Sequence, residues 1–199
     1  VAGGVVYVGS DDGNVYALNA GTGILVWSYM TGSGVLSSPA VADGIVYVGS
    51  YDRRVYALNA TTGTYVWSYT TGYSVVSSPA VCGGLVYVGS EDNKVYALNA
   101  SDGALIWNDT TVEMGVLSSP AVANGLVYVG SDDNKVYALD ACAGALMWNY
   151  TTGDAVVSSP AVAGGTVYIG SNDGKVYALN ATTGAFRWSY TTGSYVYSS

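Results

Sequence analysis

Ile45-Val-Tyr-Val-Gly-Ser50, Tyr51-Asp-Arg-Arg54 and Val55-Tyr-Ala-Leu-Asn59, followed eight residues later by Trp67, form the stretch that decides the fold. Before it, Val35–Ala42 is an apolar run of small residues, and Asp43-Gly44 is a hairpin signal. Ile45–Ser50 reads as a second strand, Asp52-Arg53-Arg54 as a polar turn and Val55–Asn59 as a third strand. Thr61–Gly63 turns the chain again, and Thr64–Thr70 is a fourth strand. Strands this short, with turns every 8–12 residues or about that, predict a sandwich, barrel or propeller.

Repetition selects among them. Val-Tyr-Val-Gly-Ser recurs at 6–10, 46–50, 86–90 and 127–131, and as Val-Tyr-Ile-Gly-Ser at 167–171. Val-Tyr-Ala-Leu follows each copy, and the five tryptophans, Trp27, Trp67, Trp107, Trp148 and Trp188, fall one per repeat. Ser-Ser-Pro closes the pattern at 37–39, 77–79, 118–120 and 158–160. Four strands recurring every 40 residues, with one insertion near Glu113, predict an all-β propeller of five four-stranded blades. The expected blades are 195–199 with 1–30, then 35–70, 75–110, 116–151 and 156–191, in one domain over 1–199. Val1 is equivalent to Val41 and Ser199 to Ser159, so the two ends are expected to complete the first blade together. A ring closed in this way predicts a monomer. The start at Val1 rather than Met reads as a mature or excised segment.

Composition narrows the function. Charged residues are 10% of the chain, against a usual ~25%, while half the residues are apolar, which excludes disorder. The formal net charge of −8, with six Lys and Arg in no cluster, argues against nucleic acid, whose binding needs phosphate neutralisation. No apolar run reaches the roughly 18–20 residues that span a bilayer. There is no His and no CxxC, so the usual zinc patterns are absent. Cys82 and Cys142 fall at non-equivalent repeat positions, one at the end of an inner strand and one in an outer turn, and are expected to be free, buried or half-buried thiols.

Ala57-Leu-Asn59-Ala-Thr-Thr62-Gly63-Thr-Tyr-Val-Trp67 resembles the tryptophan-docking motif of the quinoprotein (PQQ-type) propeller repeat family. Ala17 to Trp27, Ala97 to Trp107, Ala138 to Trp148 and Ala178 to Trp188 keep its spacing, with Asp102 and Ala143 in place of the motif Thr. The resemblance covers essentially the whole chain and implies that each Trp anchors one blade on the next. Family enzymes use adjacent cysteines, an Arg beside the quinone and an acid. Here no cysteines are adjacent, Arg53 and Arg54 fall in a turn, and Arg187 lies beside a docking Trp. The expectation is a non-catalytic member without a cofactor or metal.

Asp12, Asp52, Asp92, Asp133 and Asp173 share one turn position, where Asp caps its own turn. The segments that differ from copy to copy suggest a binding face: Tyr51 and Glu91 in the second turn, and Tyr73, Glu113, Asp154 and Tyr195 in the blade-to-blade connections, with Val112 beside Glu113. Five glycosylation sequons begin at Asn59, Asn99, Asn108, Asn149 and Asn180. The serine pairs, expected near the axis, have no His or Lys placed to activate them. These features predict a non-enzymatic, secreted or cell-surface module that binds a protein or glycan. The alternatives are a degenerate PQQ-dependent dehydrogenase and a scaffold for assembling envelope proteins.

Overall fold

In a computed structural model, residues 1–109 and 113–198 are described; Thr110, Val112 and Ser199, which entered the sequence reading, lie outside them. These residues form only strands, turns and connections, arranged as the five blades of a β-propeller. Each blade is an antiparallel sheet whose strands lie side by side in chain order. Innermost strands are Ala40–Ala42, Ala80–Cys82, Ala121–Ala123 and Ala161–Ala163; in blade 1 a single Ala2–Val5 bridge takes that place. Second strands are Val5–Gly9, Ile45–Ser50, Leu85–Ser90, Leu126–Gly130 and Thr166–Ser171. Third strands are Asn14–Asn19, Arg54–Asn59, Lys94–Asn99, Lys135–Asp140 and Lys175–Asn180. Outermost strands are Leu25–Met30, Tyr65–Thr70, Leu105–Asp109, Leu146–Thr151 and Phe186–Thr191.

The Asp43-Gly44 hairpin has φ +49° and +76°, the doubly positive turn that suits the strand twist, and Asn124-Gly125 repeats it. The innermost strand is shorter than the apolar run from Val35 suggests. Pro39 has no N–H to offer a ladder, and a side chain takes over from the backbone. Ser37 Oγ accepts the Gly49 N–H at 2.7 Å and donates to the Gly49 carbonyl at 2.9 Å. Ser77, Ser118 and Ser158 do the same for Gly89, Gly130 and Gly170. The second serine of each pair works sideways: Ser38 N–H donates to Ser78 Oγ, Ser78 N–H to Ser119 Oγ and Ser119 N–H to Ser159 Oγ, at 2.8–2.9 Å. Gly49 must be glycine because Val75 packs onto it; a Cβ would stand 2.4 Å from Val75 Cγ1.

Four seams join the five blades, and each carries its own apolar core. Trp27 Nε1–H donates to the Ala60 carbonyl at 2.9 Å, Trp67 to Ala100, Trp107 to Ala141 and Trp148 to Ala181. Tyr7, Tyr47, Tyr87 and Tyr128 donate to the same four carbonyls. Each indole lies against a left-handed glycine of the next blade: a Cβ on Gly63 would come 2.6 Å from Trp27, and Gly103, Gly144 and Gly184 are equally close to their tryptophans. These four tryptophans keep only 5–8% of their surface.

A polar latch accompanies each seam. Asp52 Oδ2 accepts the Tyr56 hydroxyl and, at 2.8 Å, the N–H of Gly32 from the connection leaving blade 1. Asp92, Asp133 and Asp173 repeat this with Gly72, Glu113 and Gly153. Burial pushes the Asp173 carboxyl up, but the hydrogen bonds from Tyr177, Gly153 and Lys175 together outweigh it and hold it below its usual value. Burial first, and then Asp173, raise the Tyr177 hydroxyl.

Seam 5-to-1 differs. Trp188 is 47% exposed, and nothing lies within 4 Å of where a Gly23 Cβ would be. Among the described residues no hydrogen bond joins the fifth sheet to the first, so where the sequence reading expected a closed ring the described residues form an arc. Residues 195–198 continue along blade 5, where Val196 donates its N–H to Ser171 and packs on Gly170, as Val35 does on Ser10 and Gly9 of blade 1.

Two outcomes follow. Trp67→Ala costs about 3–5 kcal/mol, because a sealed seam collapses poorly around the void. Trp188→Ala costs under about 1 kcal/mol, since half its surface is already wet. Denaturant midpoints of the two variants measure the difference. The Asp173 carboxyl ionises more readily folded than unfolded, so its latch stabilises the fold above the usual carboxylate range and is lost as pH falls below it. Thermal midpoints of the parent and of Asp173→Asn therefore differ by a few degrees or so at pH 7 and converge as pH falls below the usual carboxylate range.

Candidate functional site

The second turn of each blade and the connection to the next blade emerge on one face, and the fold sets their variable residues side by side. Tyr51 N–H donates to the Gly34 carbonyl at 2.9 Å, Glu91 to Ser74, Asp132 to Gly115 and Asn172 to Ala155. Tyr51, Tyr73 and Tyr195 are 40%, 57% and 60% exposed. Glu113 and Asp154 are exposed and Glu91 is half-buried. The six residues expected to form a binding face thus share a face, spread along the arc instead of converging on a pocket.

The face is acidic. Asp11, Asp12, Asp52, Glu91, Asp92, Glu113, Asp132, Asp133, Asp154 and Asp173, ten of the fourteen acidic residues, lie on these turns and connections. Arg53, Arg54, Lys94, Lys135 and Lys175 lie at the same turns and offset half of that charge, and among the described residues Lys135 pairs with Glu113 at 3.5 Å, so the face stays negative on balance. Burial, then the neighbouring Asp133 and Glu91, push the Asp132 carboxyl up. Four of the five equivalent aspartates cap their own turn, while the buried Oδ1 of Asp92 finds no partner among the described residues. Asp12, Asp52, Asp133 and Asp173 each accept the backbone N–H two residues on, at 2.9–3.1 Å. Hydrogen bonding to Tyr16 leads the causes that hold the Asp12 carboxyl at about 2. Among the described residues no group of three or more potential metal ligands comes together.

The residues that would serve a quinone do not fit one. Arg53 and Arg54 are exposed on a turn. Arg187 lies on an outermost strand, where its guanidinium donates to Thr166 Oγ1 at 2.7 Å and to the Gly165 carbonyl at 3.1 Å. The serine pairs are spent on the inner ladder and between blades. Both thiols are exposed and free, where half-burial was expected, because each sits at a turn on the opposite face. Two clefts on that face, of about 480 and 630 Å³, repeat one inter-blade groove and share Asp43.

Asn59 accepts the N–H groups of Thr61 and Thr62, Asn99 that of Ser101, and Asn180 those of Thr182 and Thr183, so these three sequon asparagines are working turn caps. Asn108 and Asn149 are exposed on outermost strands.

The rim is the surface that sequence reasoning missed. On the outermost strands Leu25 and Val26, Tyr65 and Val66, Leu105 and Ile106, and Leu146 and Met147 are all 40–56% exposed. A β-bulge explains it: Ala57 pairs with Trp67 but Leu58 with Tyr65, and the same shift recurs in every blade. The extra residue breaks alternation, so two successive apolar side chains face out while the Trp faces in. An apolar pair stands directly ahead of Trp27, Trp67, Trp107 and Trp148, and Phe186-Arg187 stands ahead of Trp188.

Comparison with known proteins agrees with this architecture. No curated protein matches the chain. The crystal structure of BamB from Moraxella catarrhalis superposes with a TM-score of 0.80 at 24% identity, over 94% of this chain and 61% of that one. The crystal structure of the computationally designed Ika8 protein superposes with a TM-score of 0.90 at 20% identity, over 100% of this chain and 62% of that one. This chain therefore spans about three fifths of each. A family model described as outer membrane protein assembly factor BamB matches residues 1–113 and again 73–195. With its docking motifs, shared carbonyl acceptors and glycine seats in register across both matches, the chain belongs to this family of PQQ-type repeat propellers.

Proposed function

We propose that this chain is a non-catalytic, protein-binding scaffold that serves the assembly of envelope proteins. The observation that carries the reading is the match of the BamB family model along nearly the whole sequence. The surfaces support it. The outermost strand of each blade has one unpaired edge, and in blades 1 to 4 it carries a pair of exposed apolar side chains. An extended client segment can add to such an edge through main-chain hydrogen bonds while its apolar side chains meet the rim. Strands destined for a membrane barrel, which alternate apolar and polar residues, have the matching chemistry. The acidic, tyrosine-bearing face is a separate surface, suited to a partner with basic and polar side chains.

A photo-crosslinking side chain at Leu146 on the rim, compared with one at Tyr73 on the face, tests this. With a urea-denatured outer-membrane barrel protein diluted into lipid vesicles, the Leu146 position is expected to crosslink to the client, and the chain to reduce client aggregation at least about twofold. No crosslink from either position, with aggregation unchanged, would defeat the reading. Catalysis is addressed separately: with PQQ and calcium supplied, dye reduction is expected to stay at the level of the free cofactor, and turnover above that level would restore the dehydrogenase alternative.

A further inference from the structure

We propose that the groove between blades 2 and 3, on the face opposite the acidic turns, is a docking site for a segment of a partner protein that carries a Lys or Arg among apolar side chains. The groove has a volume of about 630 Å³, and neither of its walls involves an end of the chain. Ile45 and Tyr47 of blade 2 and Ala100 of blade 3 give it an apolar lining. Its polar groups are already occupied. The Tyr47 hydroxyl donates to the Ala100 carbonyl at 3.1 Å, and Asn99 Oδ1 accepts the N–H and the hydroxyl of Ser101 at 2.8 and 2.7 Å. The Gly83-Gly84 turn also lines the groove, and nothing lies within 4 Å of either Cβ position there. Such a bare stretch lets another backbone come close, which suits a peptide.

One charge stands at this groove, the exposed carboxylate of Asp43. The turn does not require it. Asp43 has φ +49°, and Gly3, Gly83 and Gly164 hold the same place in blades 1, 3 and 5. Glycine takes that conformation without steric cost, whereas aspartate takes it at some cost. Among the described residues the Asp43 carboxylate has no hydrogen bond and no ion pair. Five of the six Lys and Arg lie at the turns of the other face, and the sixth, Arg187, is bonded to Thr166 and Gly165 of blade 5. The Asp43 charge reaches the floor of the groove: burial first, and then Asp43, push the Tyr47 hydroxyl up. An apolar surface with one unneutralised carboxylate at its edge complements a cation carried on an apolar stem and flanked by apolar neighbours.

The site uses none of the rim, so it and the scaffold reading can fail separately. The experiment is amide chemical-shift mapping of the isotope-labelled full chain, titrated with hexylammonium, with hexanoate and with the tripeptide acetyl-Leu-Lys-Leu-amide. Hexylammonium and the tripeptide are expected to shift the amides of Gly83, Gly84 and Ser101, and hexanoate to leave them in place. The tripeptide is expected to bind at least about tenfold more tightly than the amine, through its apolar side chains. Asp43→Gly keeps the turn, is expected to melt within a few degrees of the parent, and weakens the tripeptide about threefold. Ile45→Thr places in blade 2 the residue that Thr166 supplies in blade 5, and weakens the tripeptide about threefold through lost apolar contact. No saturable shift with any probe overturns the inference, as do shifts that hexanoate matches, that fall outside the groove, or that survive Asp43→Gly undiminished. A tripeptide that binds no better than the amine overturns it too, since the groove would then take a small cation and not a partner segment.

Discussion

The indole of one blade lying on a glycine of the next, its N–H held by an alanine carbonyl, is the contact on which the rest of this structure depends. A blade alone is a small sheet with two apolar faces and cannot bury either. Stacking does it, and the Trp sets the distance and tilt at which stacking occurs. The glycine is obligatory because the ring occupies the space of any Cβ. The alanine carbonyl is shared between Trp and Tyr, so one acceptor satisfies two buried donors and fixes both rings. Around this contact the aspartate latch and the serine ladder secure the two ends of the same seam, one on the turn face and one at the axis.

Most of the fold was legible because each part of the seam lies within one repeat at fixed spacing. The Trp spacing, the doubly positive turns and the Asp caps could all be read from five aligned copies. Three things could not. The length of the innermost strand was hidden because Ser37 replaces a backbone ladder with a hydroxyl, an exchange that periodicity does not register. The apolar rim was hidden because the bulge beside Ala57 moves a residue across the sheet without changing the sequence pattern. The open fifth seam was hidden because closure depends on curvature, the accumulated rotation of blade on blade, while a repeat specifies only its nearest neighbour. On the candidate face the copy-to-copy differences were readable in the sequence, but variability says nothing of convergence, and Tyr51, Tyr73 and Tyr195 lie along an arc.

This division of labour fits a scaffold. The repeated aspartates, asparagines and inner serines are mostly committed to caps, latches or ladders. What remains unconstrained is peripheral: the acidic turn face, and the rim where edge strands and apolar pairs meet solvent. Both are large, shallow and extended, which suits an extended polypeptide better than a small molecule. The arginines that the resemblance would set beside a quinone are here exposed on a turn or bonded to Thr166 and Gly165.

The seam is also indifferent to how many units it joins. Its donors and acceptors are complete between any two successive copies, and nothing in the contact counts them. What limits the number is taper: alanine, serine and glycine near the axis against tryptophan and tyrosine further out make each blade a wedge, and the wedge angle fixes how many fill a circle. Gene duplication can therefore lengthen or shorten such an array by whole units without inventing a new contact, while a change of one methyl group at an axial alanine or serine alters the circumference.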